Sequence, residues 1–130
     1  MKRLGGWLLI ALALGGAGSC GDGGSGPVAG VLTVSLATPN AGADGAILFS
    51  VSGPQALSSV TAGPGLRVFA QPLSTLTRFA VTGTLTNGAV VTIGVADTRN
   101  VAQYRATVQA VAAPDFQLRS LAGYSLTVSQ

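Results

Sequence analysis

The chain of 130 residues holds one thiol, Cys20, and no histidine or glutamate. Its only lysine, Lys2, and its only tryptophan, Trp7, both precede that cysteine. From Cys20 onward, acid–base chemistry at neutral pH is left to Asp22, Asp44, Asp97 and Asp115. A Ser-His-Asp relay cannot be assembled without an imidazole. A zinc site would lack both imidazole and a second thiolate. No glycine-rich run stands at a strand-to-helix junction, which removes phosphate-loop readings. Two carboxylates would serve a glycosidase, but Asp44, Asp97 and Asp115 each stand among turn residues, where aspartate is favoured for backbone reasons. Asn40 and Asp44-Gly45 offer oxygens to a calcium ion; one carboxylate is thin for that charge, and a plain loop is the favoured reading. The residues point to a non-enzymatic protein with no catalytic residues, no metal site and no cofactor.

The surroundings of Cys20 carry the most specific signal. Lys2 and Arg3 give a positive start, Leu4 to Leu14 form an apolar run, and Ala17-Gly18-Ser19 are small. The run is shorter than the roughly 20 apolar residues that a membrane-spanning helix needs, and it suits a secretory leader. With the cysteine directly behind it, this order resembles a bacterial lipoprotein signal with its lipobox. Ala17 departs from the leucine that is commoner at that position, and Ala17 with Ser19 would also suit ordinary secretion. The resemblance implies cleavage between Ser19 and Cys20, lipidation of Cys20, and attachment to a membrane of the bacterial cell envelope, with the outer membrane favoured. It also explains a lone cysteine in an exported chain. The alternative is a secreted protein.

Gly21 to Pro27 is a Gly/Ser-rich run of the kind that forms flexible tethers. The expected organisation is a signal peptide over 1–19, a lipidated cysteine and tether over 20–27, and one domain over 28–130. The formal charge of +3 overstates the mature chain, where five arginines face four aspartates. Those arginines are scattered without a basic stripe, which argues against nucleic acid as a partner.

Residues 28–130 read as short strands between turns. Leu32, Val34 and Leu36 alternate, as do Ile47, Phe49 and Val51, then Leu66, Val68 and Ala70 with Phe69 on the other face. Tyr104, Ala106, Val108 and Ala110 follow, with Arg105, Thr107 and Gln109 opposite, and Tyr124, Leu126 and Val128 close the series. Tyr104 and Tyr124 would stack on a ligand or join the core, and their alternation favours the core. Arg67, Arg78 and Arg105 read as solvated gatekeepers on strand faces. Gln55 to Ser59 would make at most one helical turn. Strands at turn-punctuated intervals without a helical period predict an all-β fold, a single antiparallel β-sandwich. The core should hold Leu32, Val34, Ile47, Phe49, Val51, Phe79, Val81, Leu85, Ile93, Val95, Tyr104, Val108, Leu126 and Val128.

Asn87-Gly88 separates two alternating runs, Phe79 to Leu85 and Val91 to Val95. A one-residue slip in pairing would put their apolar sets on opposite faces. A three-residue loop with Gly88 at positive φ, pairing Leu85 with Ala89, keeps both sets on one face. The predicted hairpin leaves Thr82, Thr84 and Thr92 together on the outward face, the candidate binding surface.

Gly45-Ala-Ile-Leu-Phe-Ser-Val-Ser52, Phe79-Ala-Val-Thr-Gly-Thr-Leu85 and Tyr124-Ser-Leu-Thr-Val128 resemble strands of cohesin-like and carbohydrate-binding β-sandwich modules of extracellular bacterial proteins. The resemblance implies an immunoglobulin-like sandwich and a role in protein–protein contact, as a binding or scaffolding module. A structural subunit of a larger envelope assembly and a glycan-binding module are the alternatives. The partner is then a protein or a polysaccharide, alongside the membrane reached through the lipid.

Overall fold

The structure, a computed structural model, describes residues 26–130. The leader, Cys20 and all of the tether before Gly26 lie outside the described residues. Eight strands follow in order: β1 Gly30–Ala37, β2 Asp44–Ser52, β3 Ser59–Ala62, β4 Arg67–Leu73, β5 Leu76–Leu85, β6 Gly88–Val95, β7 Arg105–Ala112 and β8 Ser125–Ser129. A 3₁₀ segment, Thr98–Gln103, joins β6 to β7. The strands form two antiparallel four-stranded sheets, ordered β3-β6-β1-β8 (sheet A) and β4-β5-β2-β7 (sheet B). Their inner faces meet in one core, the arrangement of a β-sandwich.

Alternation explains which side chains reach that core. Leu32, Val34 and Leu36 of β1 are buried against Ile47, Phe49 and Val51 of β2 and Phe79, Val81 and Leu85 of β5. Phe49 and Phe79 are cross-strand partners whose rings stack with centroids 4.9 Å apart. Leu32–Ser35 and Leu126–Ser129 share the sequence Leu-Thr-Val-Ser and lie side by side: Thr33 pairs with Ser129 and Val34 with Val128. Val108, Leu126 and Val128, placed in the core from sequence, are partly buried residues packed against it.

The predicted β5–β6 hairpin does not form. Both strands bury their apolar sets, but β5 pairs with β2 and β4 while β6 pairs with β1 and β3. Asn87-Gly88 carries the chain from one sheet to the other. Gly88 does have positive φ, at 123°. A tight hairpin within a sheet does join β4 and β5, where Leu73 pairs with Leu76 around Ser74-Thr75 and Ser74 takes a φ of 66°. Two-residue loops are the commonest connection between twisted antiparallel neighbours.

The pairing register shifts at three points, one of them between Asp44 and Ala46 where β2 meets β5, and the other two, in β6 and β7, change the phase of strands that a strict period of two would misplace. In β6, Val34 pairs with Val91 and Ser35 with Ala89, so Val90 is the extra residue; it and Val91 are both buried. In β7, Leu48 pairs with Ala110 and Phe49 with Val108, so Gln109 is extra. Beyond it Ala110 turns outward and Val111 inward, reversing the expected place of Ala110. Gln55 to Ser59 forms bends and the start of β3, with no helical turn.

Candidate functional site

Among the described residues Asp44 is the only buried carboxylate, and its side chain is fully enclosed. It opens β2 and is reached from two connections, β1–β2 and β7–β8, that meet at one end of the sandwich. Thr38 Oγ1 donates to Asp44 Oδ2 at 2.6 Å, Tyr124 Oη to Oδ1 at 2.8 Å, and Arg119 Nε to Oδ1 at 3.0 Å. Arg119 also donates to the Ala43 carbonyl at 2.7 Å, and Asn40 Nδ2 donates to the Tyr124 hydroxyl at 2.8 Å. The Thr38 N–H donates to Asn87 Oδ1 at 2.8 Å, tying in the turn between the sheets. A buried carboxylate is tolerable only when its oxygens are met by donors, and here they are. Cation, phenol and hydroxyl satisfy both carboxylate oxygens, and the cluster ties the β1–β2 connection to the chain after β7. Asn40 and Asp44 of the calcium reading belong to it as loop-pinning groups. Arg119 and Tyr124 reach Asp44 from 75 and 80 positions away. No local pattern announces such a contact; a tyrosine and an arginine close together in a polar stretch were the available hint.

The opposite end is held by Asp97. Its Oδ1 accepts from the Val28 N–H at 3.2 Å and from the Arg99 N–H at 3.1 Å, and the Arg99 guanidinium closes on both oxygens at 3.1 Å. The Arg99 side-chain hydrogen bonds, opposed by partial burial and aided by the two backbone donors, pull the Asp97 carboxyl down to about 2. The Val28 carbonyl accepts from the Thr98 N–H at 2.8 Å, so the chain enters β1 through a two-point clasp. Tyr104 is buried in the core, and burial, with Asp97 nearby, raises its phenol above the ordinary value. Asp115 sits in the turn after β7, where its Oδ1 accepts from the Gln117 N–H. Asp97 and Asp115 stand in turns as expected, whereas Asp44 is the first residue of β2, and the three carboxylates have separate partners. Among the described residues no three metal-ligating acids, histidines or cysteines come together.

The two outer faces differ in chemistry. Across sheet A, Thr61, Thr92, Thr33 and Ser129 form one transverse row of hydroxyls. Across sheet B, Phe69, Ala80, Leu48 and Ala110 form an apolar row. Phe69 is 60% exposed and Leu48 47%. A trough of about 360 Å³ lies between Phe69, Ala80, Leu48 and Gln109, and a second of about 200 Å³ runs from Leu48 over Ala110 to Leu118. Exposed arginines rim this face: Arg67 on the row of Thr82, Ala46 and Ala112, Arg78 on the row of Gln71, Ser50 and Thr107, and Arg105 opposite Ser52. The gatekeeper positions expected for these arginines are the margins of the apolar row.

Thr82, Thr84 and Thr92 are not brought together. Thr82 lies half-buried on the outer face of sheet B, Thr84 is exposed toward the end of the same strand, and Thr92 belongs to the hydroxyl row of sheet A. The surface built on the β5–β6 hairpin dissolves with it, because its two strands belong to different layers.

Past β7 the chain doubles back. The Arg119 N–H donates to the Val111 carbonyl and the Ala113 N–H to the Gln117 carbonyl, both at 2.8 Å, and Leu118 bridges to Ala112. Phe116 stands at the tip with a φ of 69° and 89% of its surface exposed. Leu118, 78% exposed, extends the face of sheet B beyond its β7 edge. No family model, no curated protein and no solved structure matches the chain.

Proposed function

We propose that the chain is an envelope-anchored bacterial lipoprotein, held by acylation of Cys20, whose non-catalytic sandwich makes protein–protein contact through the outer face of sheet B. The observation that carries this reading is the asymmetry of the two sheets. Sheet A offers water a hydroxyl row, whereas sheet B offers Phe69, Ala80, Leu48 and Ala110 within a margin of arginines. A contiguous apolar patch with a polar rim is the surface pattern of an interaction site, and arginine is enriched in such interfaces. The leader supplies the anchor: a lipidated Cys20 followed by the Gly/Ser-rich run would leave the domain free to turn this face toward a partner. A single acyl chain holds only marginally, so stable attachment requires more than one.

The test places a photo-reactive amino acid at Leu48, and separately at Thr33, in the chain expressed with its own leader. Illumination of cells should give protein adducts from position 48 and none from position 33. Equal adducts from both positions, or none from either, would remove the contact face. A palmitate-analogue label that survives Cys20→Ala would remove the anchor.

A further inference from the structure

The apolar row of sheet B alternates large and small across its strands: Phe69 on β4, Ala80 on β5, Leu48 on β2, Ala110 on β7. Read from the other edge, the row becomes small, large, small, large. A two-fold axis parallel to the strands, set between β5 and β2, performs that reversal. It lays β4 of one copy over β7 of another and β5 over β2. Phe69 then falls on Ala110 of the second copy, and Leu48 on Ala80, a large side chain on a small one at all four positions. An in-plane axis perpendicular to the strands would instead superpose β4 on β4 and set Phe69 toward Phe69.

Charge follows the same operation. The row on the Phe116 side of this one runs Arg67, Thr82, Ala46, Ala112. Under the strand-parallel axis Arg67 lies over Ala112 of the second copy, beside the hairpin that carries exposed Asp115. Arg78 lies over Ser50 of the second copy, so no arginine meets an arginine face-on. We propose that the outer face of sheet B is a self-association surface, its occupant a second copy of this chain packed face to face about an axis along the strands. This rests on the reading of sheet B as the contact face.

The scale of the interface follows from sheet geometry. Four strands about 4.8 Å apart present a face roughly 19 Å wide. That is on the order of 400 Å² per copy, against about 800 Å² in a standard stable interface. An interface of half the standard size falls in the weak, transient class in solution. Confinement of both copies to one membrane raises their effective concentration.

Photo-crosslinking in cells tests it. The reactive residue at position 48 should give an adduct of twice the chain's mass, containing this chain alone and linked to the segment around Ala80. At position 69 the link should map to the segment around Ala110. Arg67→Asp should lower the dimer adduct several-fold, as should Asp115→Arg, and the double variant Arg67→Asp/Asp115→Arg should restore it. Both positions are exposed, so unchanged circular dichroism is expected for each variant. Capture of a different protein from position 48 would overturn the second-copy assignment while leaving the contact face standing. Absence of any adduct from position 48 would overturn both. Linkage of position 69 to β4, or failure of the double variant to recover, would overturn the proposed axis and with it the dimer.

Discussion

Arg119 and Asp44 meet at 3.0 Å across 75 positions of sequence, and their contact closes one end of the sandwich. The Asp44 side chain is fully enclosed while Arg119 keeps about a third of its surface in water, so the pair is unequal. Removing the cation leaves the carboxylate with Thr38 and Tyr124 as its donors in a place that water enters poorly. Arg119→Met should therefore cost about 1–3 kcal/mol by urea denaturation, the range for a buried polar group that loses a partner. Because Arg119 also holds the return strand after β7, amide exchange across residues 113–124 should speed up more than elsewhere. Unchanged exchange there would mean that the backbone bonds alone hold the segment.

The stacked pair of Phe49 and Phe79 is the counterpart in the apolar core. Both rings are buried, and they are direct cross-strand partners of sheet B. Phe79→Ala should cost roughly 3–5 kcal/mol, from lost transfer free energy and the cavity left between the layers. Phe69→Ala, on the same sheet but facing outward, should stay within about 0.5 kcal/mol. Equal losses in the two variants would contradict the assignment of inner and outer faces.

Strand faces were legible in the sequence because the side-chain period in a strand is two, and Leu32/Val34, Ile47/Phe49 and Phe79/Val81 keep it strictly. Strand partners were not. Phe79 to Leu85 and Val91 to Val95 both point inward whether they lie side by side in one sheet or face each other across two layers. Burial is satisfied either way, so alternation cannot choose between a hairpin and a cross-sheet turn. The inward place expected for Ala110, and the absence of Val90 and Val111 from the expected core, trace to the bulges at Gln109 and Val90, which insert one residue without any change of composition. Of the polar cluster, only Asp44, Asn40 and Tyr124 stood out as types. Their assembly with Arg119 and Thr38 depends on strand order, which no local spacing encodes.

Gly53 owes its place to Tyr104. It follows β2, donates its N–H to the Thr75 carbonyl at 3.1 Å, and leaves room for the buried ring: a Cβ added there would fall on the edge of Tyr104. The constraint is contact, since an ordinary backbone conformation suffices for alanine. Gly53→Ala should cost about 1–3 kcal/mol by overpacking. Its cost should shrink in a Tyr104→Ala background, because the two side chains compete for one space. A double-mutant cycle measures the coupling, and additive losses would show that the ring yields freely.

The Asp97 clasp makes entry into β1 dependent on pH, and the direction follows from its chemistry. Hydrogen bonds from the Arg99 side chain, with the backbone donors of Arg99 and Val28, lower the folded-state value from the ordinary 3.8 to about 2. A carboxyl lowered by folding contributes stability above its unfolded value and loses it as the pH falls through its folded one. The contribution is therefore complete at neutral pH, begins to fade below about 3.8, and is gone below about 2. The Val28 N–H, bonded to Asp97 Oδ1, reports the event directly. Its amide resonance should titrate with a midpoint near 2, together with that of Arg99. Asp97→Asn should abolish the transition and quicken exchange of the Thr98 amide, which is bonded to the Val28 carbonyl. A midpoint at 3.8 would show an aspartate that does not hold Arg99 and Val28 in solution, and the N-terminal lead into β1 would then be unclasped.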